Sequence, residues 1–494
     1  MSTGHELLEI GKVRVDPAWA LKIPASLALR KLVLPMCELD GVVQVACCDI
    51  ADQATAQAIR KATGCEVQLI ETDPTDLREV LTRIYGGVSL PAGVAGPGAR
   101  RGEADDIDDA ATICDEVLLA AVMREASDIH FLPTETSLLV CFRVDGELET
   151  YRELPKDAQG PVTSRIKVLS GLDIAEKRAP QDGRFNTRIG PNRRKLDLRV
   201  ATLPTQFGER TTMRLLATAS ASLTMERLGM DEKGIHSFRE AINRPHGMIL
   251  LTGPTGSGKS TSLYVALTEV LERRRRNVIT VEDPIEYQIR GASQVEVDGT
   301  DRVSFHRALR SILRHDPDVV MIGEVRDSET ANIAVKASLT GHLVLSTLHT
   351  NTAVGVITRL ADLGLERFLI AATVRMVIAQ RLVRRLCGHC RSPREMTTTE
   401  ALSLGRRDLA GKTIYDPCGC VYCAGRGFNG RVAMFEMLAV DQQLAEMIDD
   451  EADESELLKS IRQAGTPGLI DDAVAKLLAG TTSLQEVLTN VVDF

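Results

Sequence analysis

Gly253-Pro254-Thr255-Gly256-Ser257-Gly258-Lys259-Ser260 fits the phosphate-loop pattern G-x-x-x-x-G-K-[ST] at every constrained position. The apolar residues 248–251 before it predict a buried strand, and residues 260–267 after it predict a helix, which is the setting that this motif requires. Glycines let the backbone approach phosphates closely, so that N–H groups and the helix N-terminus face the anion. We therefore predict that a nucleoside triphosphate binds residues 253–260 and the adjacent Thr261, with Lys259 on the β- and γ-phosphates and Ser260 on Mg²⁺.

Length and composition bound the class of protein. A chain of 494 residues exceeds the size of one hydrophobic core, which predicts two or three domains. A net charge of -9 and an aromatic content of 3% argue against nucleic acid as the partner, since nucleic-acid binders use surplus Lys and Arg or aromatic platforms. The sequence shows neither an apolar run long enough for a transmembrane segment nor a signal peptide, so we expect a cytoplasmic protein.

Shifts in composition divide the chain into an α/β fold of several parts. Residues 1–85 alternate strands and helices, for example at 42–46 and 54–61, and predict a small α/β module. Glycine- and proline-rich residues followed by the charged run 100–109 predict a flexible linker over 86–109. Residues 110–217 predict a second α/β domain, with strands at 137–143 and 195–200. Residues 218–494 predict the nucleotide-binding domain, with a cysteine-rich subdomain at 386–430.

Carboxylates follow two further predicted strands. The run 277–281 ends in Glu282-Asp283-Pro284-Ile285-Glu286, and the run 318–322 ends in Gly323-Glu324. Open α/β sheets bind ligands at the carboxyl ends of their strands, so these acids are expected beside the phosphate loop. One acid can polarise the attacking water while another orients water or Mg²⁺ at the γ-phosphate.

Histidines and arginines follow the acidic segments. His342 and His349 flank the predicted strand 343–348; they are either satisfied structural histidines or groups that sense the γ-phosphate or couple neighbouring subunits. Arg307, Arg310 and Arg314 recur at i, i+3 and i+7 and are predicted to share one helical face. That face is either solvated or supplies an arginine to the phosphoryl group.

Two C-x-x-C motifs, Cys387/Cys390 and Cys420/Cys423, have the spacing by which paired thiolates grip a tetrahedral metal. A single motif could be a redox dithiol, whereas two within one domain favour structural Zn²⁺. Cys418 makes a C-x-C with Cys420, but the two-residue spacing favours Cys420 and Cys423 as the ligands. The remaining cysteines are predicted to be core thiols, since a long chain without an export signal is not a disulfide scaffold.

Together these motifs resemble the secretion ATPase superfamily, which powers type II secretion and type IV pilus machines. The resemblance rests on the segments 253–260, 282–286 and 323–327, on the histidine segment through His349, and on 126–131, 143–146, 197–200 and 208–216. It implies a RecA-like ATPase domain preceded by a PAS-like domain that closes over the nucleotide. By the same resemblance Arg199 and Arg214 approach the phosphates, Glu286 is the base, and Glu324 is the Walker B glutamate.

The four-cysteine insertion and the extra N-terminal module are similar to those of the export and pilus-assembly branches of this superfamily. The resemblance is strongest to the type II secretion branch, with pilus assembly as the alternative. It implies a homo-hexamer that docks on the cytoplasmic domain of an inner-membrane platform protein. The duplicated Leu-Gly motifs that bind cyclic di-GMP in some members are not evident, so that ligand is not predicted.

Two other classes of function compete with this interpretation. A DNA-translocating ring ATPase shares the phosphate loop, but the acidic charge balance, the scarcity of aromatics and the histidine segment count against it. A regulatory nucleotide switch with little turnover is opposed by the paired Glu286 and Glu324, because a switch does not need two catalytic carboxylates.

Overall fold

The computed structural model describes residues 7–85, 103–189, 194–216, 224–273, 276–297 and 304–492. It divides into two compact units. The first comprises residues 1–218, 387–392 and 417–429, and the second comprises 219–386, 393–416 and 430–494. The predicted subdomain 386–430 is therefore split, because its two cysteine-bearing stretches pack with the first unit. Among the helices of the described residues, none combines the length and apolar composition needed to traverse a bilayer.

The N-terminal module is a small α/β structure, as predicted from its alternating pattern. Asp52 caps its third helix by accepting a 3.0 Å hydrogen bond from the Thr55 N–H, and Gly64 ends that helix at a φ of 72°. The strands pair in the order β1-β2-β3, antiparallel and then parallel. The elements are α1 (Pro17–Ala20), α2 (Ala25–Lys31), β1 (Val33–Leu39), β2 (Val42–Cys47), α3 (Gln53–Thr63), β3 (Glu66–Glu71) and α4 (Pro74–Tyr85).

The next domain of the first unit is an antiparallel sheet with two helices against it. Helix α5 begins at Glu103, inside the segment predicted as a linker, whereas residues 86–102 lie outside the described residues. The six strands are ordered β6-β5-β4-β9-β8-β7. The elements are α5 (Glu103–Met123), β4 (Asp128–Pro133), β5 (Ser137–Val144), β6 (Glu147–Pro155), α6 (Gln159–Ser170), β7 (Gln181–Ile189), β8 (Arg194–Thr205) and β9 (Gly208–Leu216).

The second unit is built on a seven-stranded sheet ordered β12-β11-β13-β14-β10-β15-β18, in which the strands from β12 to β15 run parallel. Strand β10 is buried at every residue, as expected for a parallel strand covered on both faces. The strands are β10 (Gly247–Thr252), β11 (Val278–Glu282), β12 (Ser293–Glu296), β13 (Val319–Ile322), β14 (Leu343–Leu348), β15 (Val374–Leu386), β16 (Ser392–Glu395), β17 (Thr413–Asp416) and β18 (Phe428–Ala439).

Helices cover this sheet, and apolar residues of the helices and of the strands together form its two main cores. Strand β10 is followed directly by the phosphate loop and then by the first residue of α9, so the predicted strand, loop and helix are confirmed. The helices are α7 (Met225–Leu228), α8 (Glu232–Ile242), α9 (Lys259–Arg273), α10 (Phe305–Ile312), α11 (Ser328–Leu339), α12 (Gly355–Asp362), α13 (Arg367–Thr373), α14 (Thr398–Ser403), α15 (Gln442–Asp449), α16 (Glu454–Gln463), α17 (Leu469–Leu478) and α18 (Leu484–Val487).

Candidate functional site

The phosphate loop needs its glycines for two reasons. Gly253, Gly256 and Gly258 have φ values of 141°, 80° and 88°, in the region that favours glycine. A Cβ on Gly253 would also lie 2.3 Å from the Gln380 carbonyl oxygen, so the loop passes directly over the neighbouring strand. Helix α9 starts at Lys259, which aims its N-terminal N–H groups at the loop. The loop backbone therefore has the geometry that the predicted anion site requires, while binding itself stays a prediction.

Lys259 points into this loop. Its ammonium group donates to the carbonyl oxygens of Gly253 and Pro254, at 2.7 and 3.1 Å. Burial lowers the pKa of Lys259 to about 8; the charge of Glu324 opposes that shift, and the charge of Arg381 adds to it. A triphosphate would replace the two carbonyl oxygens as the partner of the ammonium group, since both are only neutral acceptors.

Gln380 holds the phosphate loop from strand β15. This buried amide donates to the Ser257 carbonyl oxygen and accepts from the Ser262 hydroxyl, both at 2.8 Å. The next residue, Arg381, donates to the Asn351 carbonyl oxygen at 3.1 Å. Strand β15 therefore fixes both the phosphate loop and the loop after the histidine strand. Sequence reasoning missed Gln380; a polar Gln-Arg pair within a long apolar strand was the available signal.

The acidic segment 282–286 contains one buried, structural carboxylate and two exposed ones. Glu282 is buried at the end of β11, where it accepts from the Thr280 hydroxyl at 2.5 Å, from the Gln294 amide at 3.0 Å, and from the Tyr264 hydroxyl. Asp283 and Glu286 are exposed in the loop that follows. Only these two acids have side chains available to a ligand or to water.

Tyr264 connects the acidic loop to the phosphate-loop helix. Tyr264 lies on α9, and its hydroxyl donates to Glu282 and accepts from the Glu286 backbone N–H at 3.2 Å. Burial raises the pKa of Tyr264, and the hydrogen bond to Glu282 raises it further, so the phenol stays protonated as a donor. No sequence motif marks Tyr264, although a tyrosine on a buried helix face requires a partner for its hydroxyl.

Glu324 lies at the same sheet edge. Strand β14 fixes its position, because the Thr347 hydroxyl donates to the Gly323 carbonyl oxygen at 2.7 Å and the Val325 N–H donates to the Thr347 carbonyl oxygen at 3.0 Å. One carboxylate oxygen of Glu324 lies 3.6 Å from His349 Nε2, and the other contacts Arg326. His349 is thus beside the Glu324 carboxylate, and a role for either residue at the γ-phosphate stays a prediction.

His342 does not join this group. It precedes the first residue of β14, whereas His349 follows the last, so the strand separates the two histidines by its full length. The His342 ring lies 2.9 Å from the Ala337 carbonyl oxygen and 3.2 Å from the Thr340 hydroxyl. The two histidines flank the strand as predicted, and only His349 lies at the edge that carries Glu324. A contact of His342 with another subunit stays a prediction.

The arginines of the α10 segment are partly placed as predicted. Arg307 and Arg310 lie on α10, but that helix ends at Ile312, so Arg314 lies beyond it and donates to the Arg310 carbonyl oxygen at 2.8 Å. Arg310 is exposed and forms a 2.8 Å ion pair with Glu329. Both readings of this face, solvated or facing a phosphoryl group, are compatible with that exposure.

Arg199 and Arg214 are neighbours in the first unit. They pair directly across β8 and β9, and Asp128 on β4 pairs with Arg214 on its other side. The Arg214 Nε donates to an Asp128 oxygen at 2.9 Å. Direct cross-strand partners share one face of a sheet, so the two guanidinium groups emerge on the same side. Their approach to the nucleotide, expected from the family resemblance, stays a prediction.

The four predicted ligand cysteines converge. The sulfur atoms of Cys387, Cys390, Cys420 and Cys423 all lie within 4.8 Å of one another, while Cys418 is exposed and outside this set. The Cys387–Cys420 and Cys390–Cys423 Sγ–Sγ distances are both 3.8 Å. Tetrahedral Zn²⁺ with bonds of about 2.3 Å places its sulfurs about 3.8 Å apart, so the donor set fits that ion.

Backbone N–H groups support the sulfur cluster. Gly427 and Cys420 donate to the Cys423 sulfur at 3.2 and 3.3 Å, and Gly419 donates to the Cys390 sulfur at 3.3 Å. Such bonds orient thiolate ligands and offset their negative charge. Gly419 adopts a φ of 105°, and a Cβ there would lie 2.6 Å from the Gly425 carbonyl oxygen, so this turn requires glycine.

Known proteins match almost the whole of this chain. Residues 103–489 match the family model described as type II/IV secretion system protein, and residues 3–89 match the MshEN domain model. The type II secretion system protein E of Aeromonas hydrophila is 41% identical over 489 residues, which cover 96% of this chain and 97% of that protein.

Two further relatives cover most of their own length. The type IV pilus assembly ATPase PilB of Myxococcus xanthus is 38% identical over 494 residues, covering 96% of this chain and 87% of that protein. Among solved structures, the pilus retraction motor PilT with bound ADP has a TM-score of 0.53 and 26% identity, covering 76% of this chain and 95% of that one. The mixed α/β fold with a parallel sheet is thus shared with that motor.

Proposed function

This chain belongs to the type II/IV secretion system protein family, and on that premise we propose that it is the ATP-hydrolysing motor of a type II secretion system. In this role the second unit is a RecA-like ATPase domain, and residues 110–217 are the PAS-like domain that closes over the nucleotide. A cycle of closure and reopening around a hexameric ring would drive the assembly of a short pilus-like fibre and the export of proteins.

The observation that carries the proposal is the meeting of Lys259, Glu324 and the Glu286 loop at one edge of the seven-stranded sheet. The phosphate-loop N–H groups and Lys259 would bind the phosphates, and Ser260 would hold the metal. Bound Mg²⁺ would neutralise charge on the β- and γ-phosphates. Exposed Glu286 would accept the proton of the attacking water, while Glu324, fixed by β14, would orient the water or the metal.

Arginines supply the remaining positive charge in this proposal. Arg199 and Arg214, which share one sheet face, would meet the phosphates when the PAS-like domain closes. Arg310 and Arg314 would supply charge from α10 and from the residues just after it. Such arginines stabilise the charge that develops on a transferring phosphoryl group. The two sources are distinguishable, because the first requires domain closure and the second does not.

The cofactors of this motor are ATP with Mg²⁺, together with a structural Zn²⁺ held by Cys387, Cys390, Cys420 and Cys423. Four thiolates leave no open coordination position, so such a site supplies stability rather than catalysis. The partner would be the cytoplasmic domain of an inner-membrane platform protein, which would hold the ring at the membrane. Pilus assembly is the second candidate, because the PilB relative matches over nearly the same span.

The test is an ATPase assay on the purified full chain with Mg²⁺, with and without double-stranded DNA. We expect turnover that is lost in Glu324→Gln and insensitive to DNA. Unchanged turnover in Glu324→Gln would contradict the catalytic assignment, and stimulation by DNA would favour a DNA-translocating motor. Complementation of secretion-deficient and of pilus-deficient deletion strains would then separate the two branches of the family.

A further inference from the structure

The two cysteine-bearing stretches, residues 387–392 and 417–429, form one surface that we call the cysteine platform. We propose that the N-terminal module docks on the cysteine platform and on the domain of residues 110–217, and that a metal ion bound by the four cysteines holds the module in this position. The inference is independent of ATP hydrolysis, because all of its contacts lie within the first unit.

The platform contributes to the core of the N-terminal module. Val421, Tyr422 and Ala424 pack against the same apolar cluster as Leu39 and Trp19 of the module. The Arg14 N–H donates to the Tyr422 carbonyl oxygen at 3.2 Å, which adds a backbone contact. A Cβ on Gly425 would lie 3.4 Å from Leu39 Cδ2, so the platform backbone is already in close contact with the module. The module therefore buries part of its apolar surface on residues far away in the sequence.

A cluster of charged side chains lies at the joint between the N-terminal module and the domain of residues 110–217. Arg14 of the module donates to Asp145 at 2.6 Å and to Glu125 at 2.8 Å, both in the adjoining domain. Arg124 of that domain donates to Asp16 of the module at 2.6 Å. The pairs therefore run in both directions across the joint, with an arginine on each side.

The platform supplies a third arginine to the cluster. Arg426 donates to Glu149 at 2.8 Å, and Arg124 reaches the same carboxylate at 3.5 Å. Burial lowers the pKa of Arg426, while the Glu149 charge opposes that shift. The cluster thus links all three parts: Arg14 and Asp16 from the module, Arg124, Glu125, Asp145 and Glu149 from the adjoining domain, and Arg426 from the platform.

Burial makes any other arrangement of this charged cluster costly. The side chains of Arg14 and Asp145 are 8% and 13% exposed, and that of Arg124 is 10% exposed. Removing one partner of a buried pair leaves an uncompensated charge, which is far more costly than losing an exposed pair. The joint therefore favours one docked arrangement, since a shifted module would leave these charges unpaired.

Metal binding is coupled to docking through chain connectivity. Val421 and Tyr422, which touch the module, lie between the ligands Cys420 and Cys423 in one short turn. The His389 ring lies between the other two ligands and stacks on Tyr422 at 3.8 Å between ring centroids. A bound metal would therefore fix both sides of the docking surface, and its loss would free the turn that carries Val421 and Tyr422.

The docking contacts are tested by hydrogen–deuterium exchange on the full chain. We expect Arg14→Asp to increase exchange roughly tenfold or more in peptides that cover residues 7–16 and 420–426. The charge swap of Arg14→Asp with Asp145→Arg should restore protection. Arg60→Asp is the matched control, because Arg60 forms an exposed ion pair with Glu66 inside the module and should leave both peptides unchanged.

Two further measurements keep the proposal falsifiable if Arg14→Asp fails to fold. Tyr422→Ala changes the platform, leaves the sequence of the module unaltered, and keeps all four cysteines in place. It should increase exchange in residues 7–16 while zinc content is retained. Chelation of zinc from the wild-type chain should expose the same peptides, and added Zn²⁺ should protect them again. Unchanged exchange in Tyr422→Ala would overturn docking on the platform, and unchanged exchange after chelation would overturn control by the metal.

Discussion

Two regions of the molecule are assembled by opposite means. The first is the sheet edge of the second unit with Lys259, Glu286 and Glu324, which we call the nucleotide edge. The second is the joint where the N-terminal module meets the cysteine platform and the domain of residues 110–217. At the nucleotide edge, each group follows directly on a strand of one parallel sheet, and backbone geometry fixes the phosphate loop. At the joint, residues from three distant stretches meet through side-chain ion pairs and a shared apolar cluster. The phosphate loop of the first region is encoded by a local sequence motif, whereas the contacts of the second region exist only after the chain has folded. The two should therefore fail separately.

The strongest test of that separation is Lys259→Ala. Removing the ammonium group takes away the charge that binds and stabilises the phosphates, so ATP binding and hydrolysis should both fall to background. Zinc content and the protection of residues 7–16 should stay at the wild-type level, because Lys259 belongs to the other unit. Loss of zinc or of that protection in Lys259→Ala would show that the two regions are coupled.

Glu286→Gln sharpens the assignment within the nucleotide edge. The amide keeps the shape of the side chain but cannot accept a proton, so kcat should fall by about 10²–10⁴ while ATP still binds. Glu272→Gln, an exposed carboxylate on α9, is the control and should not alter kcat. A kcat within about threefold of wild type in Glu286→Gln would remove this residue from the role of base.

Cysteine substitutions test the other side of the comparison. Cys387→Ser should reduce bound zinc from about one ion per chain to well below half, measured by metal analysis, because three thiolates hold the ion more weakly than four. Cys418→Ser should retain it, since the Cys418 thiol lies outside the sulfur cluster. The reverse result would exchange the two residues as ligands. ATP binding should survive both substitutions.

Tyr264→Phe tests a smaller, positional effect. The ring stays, but the hydroxyl bonds to Glu282 and to the Glu286 N–H are lost, so kcat should fall about tenfold with little change in KM for ATP. Tyr287→Phe is the matched control, because its ring contacts Tyr264 edge-on and that packing would remain. Equal losses in both variants, or a rise in KM alone, would contradict a role in positioning Glu286.

The pH profile tests the charge of Lys259 in the free enzyme. Because burial lowers its pKa to about 8, the ammonium form predominates below that pH and is lost above it. We expect kcat/KM for Mg-ATP to be about half of its plateau near pH 8 and about a tenth near pH 9, since kcat/KM reports groups of the free enzyme. A profile that stays flat to pH 9 would show that Lys259 keeps its proton.

Sequence reasoning found the groups that follow strands and missed those that join elements. The phosphate loop, Glu324 and the four ligand cysteines were identifiable because their spacing is local and chemically constrained. Gln380 and Tyr264 were not, because each contacts residues from a different element, and only the fold brings these together. The carboxylate of Glu282 likewise became distinguishable from Glu286 only by its burial.

The domain boundaries were likewise only partly predictable from the sequence. The strand and helix expected in the N-terminal module are present, but helix α5 begins inside the stretch predicted as linker. The cysteine stretches lie in the sequence between segments of the second unit, yet they pack with the first unit. Contacts between residues near 14 and residues near 422 have no local signature, and a single sequence gives no way to pair them.

The packing of Val421 and Tyr422 on the N-terminal module has a consequence for biosynthesis. The ribosome makes the module about 330 residues before it makes the docking surface of the module. At about 5–20 residues per second, tens of seconds separate the two events. During that interval the nascent module must leave apolar surface uncovered, so chaperones and premature termination should affect this end of the protein first.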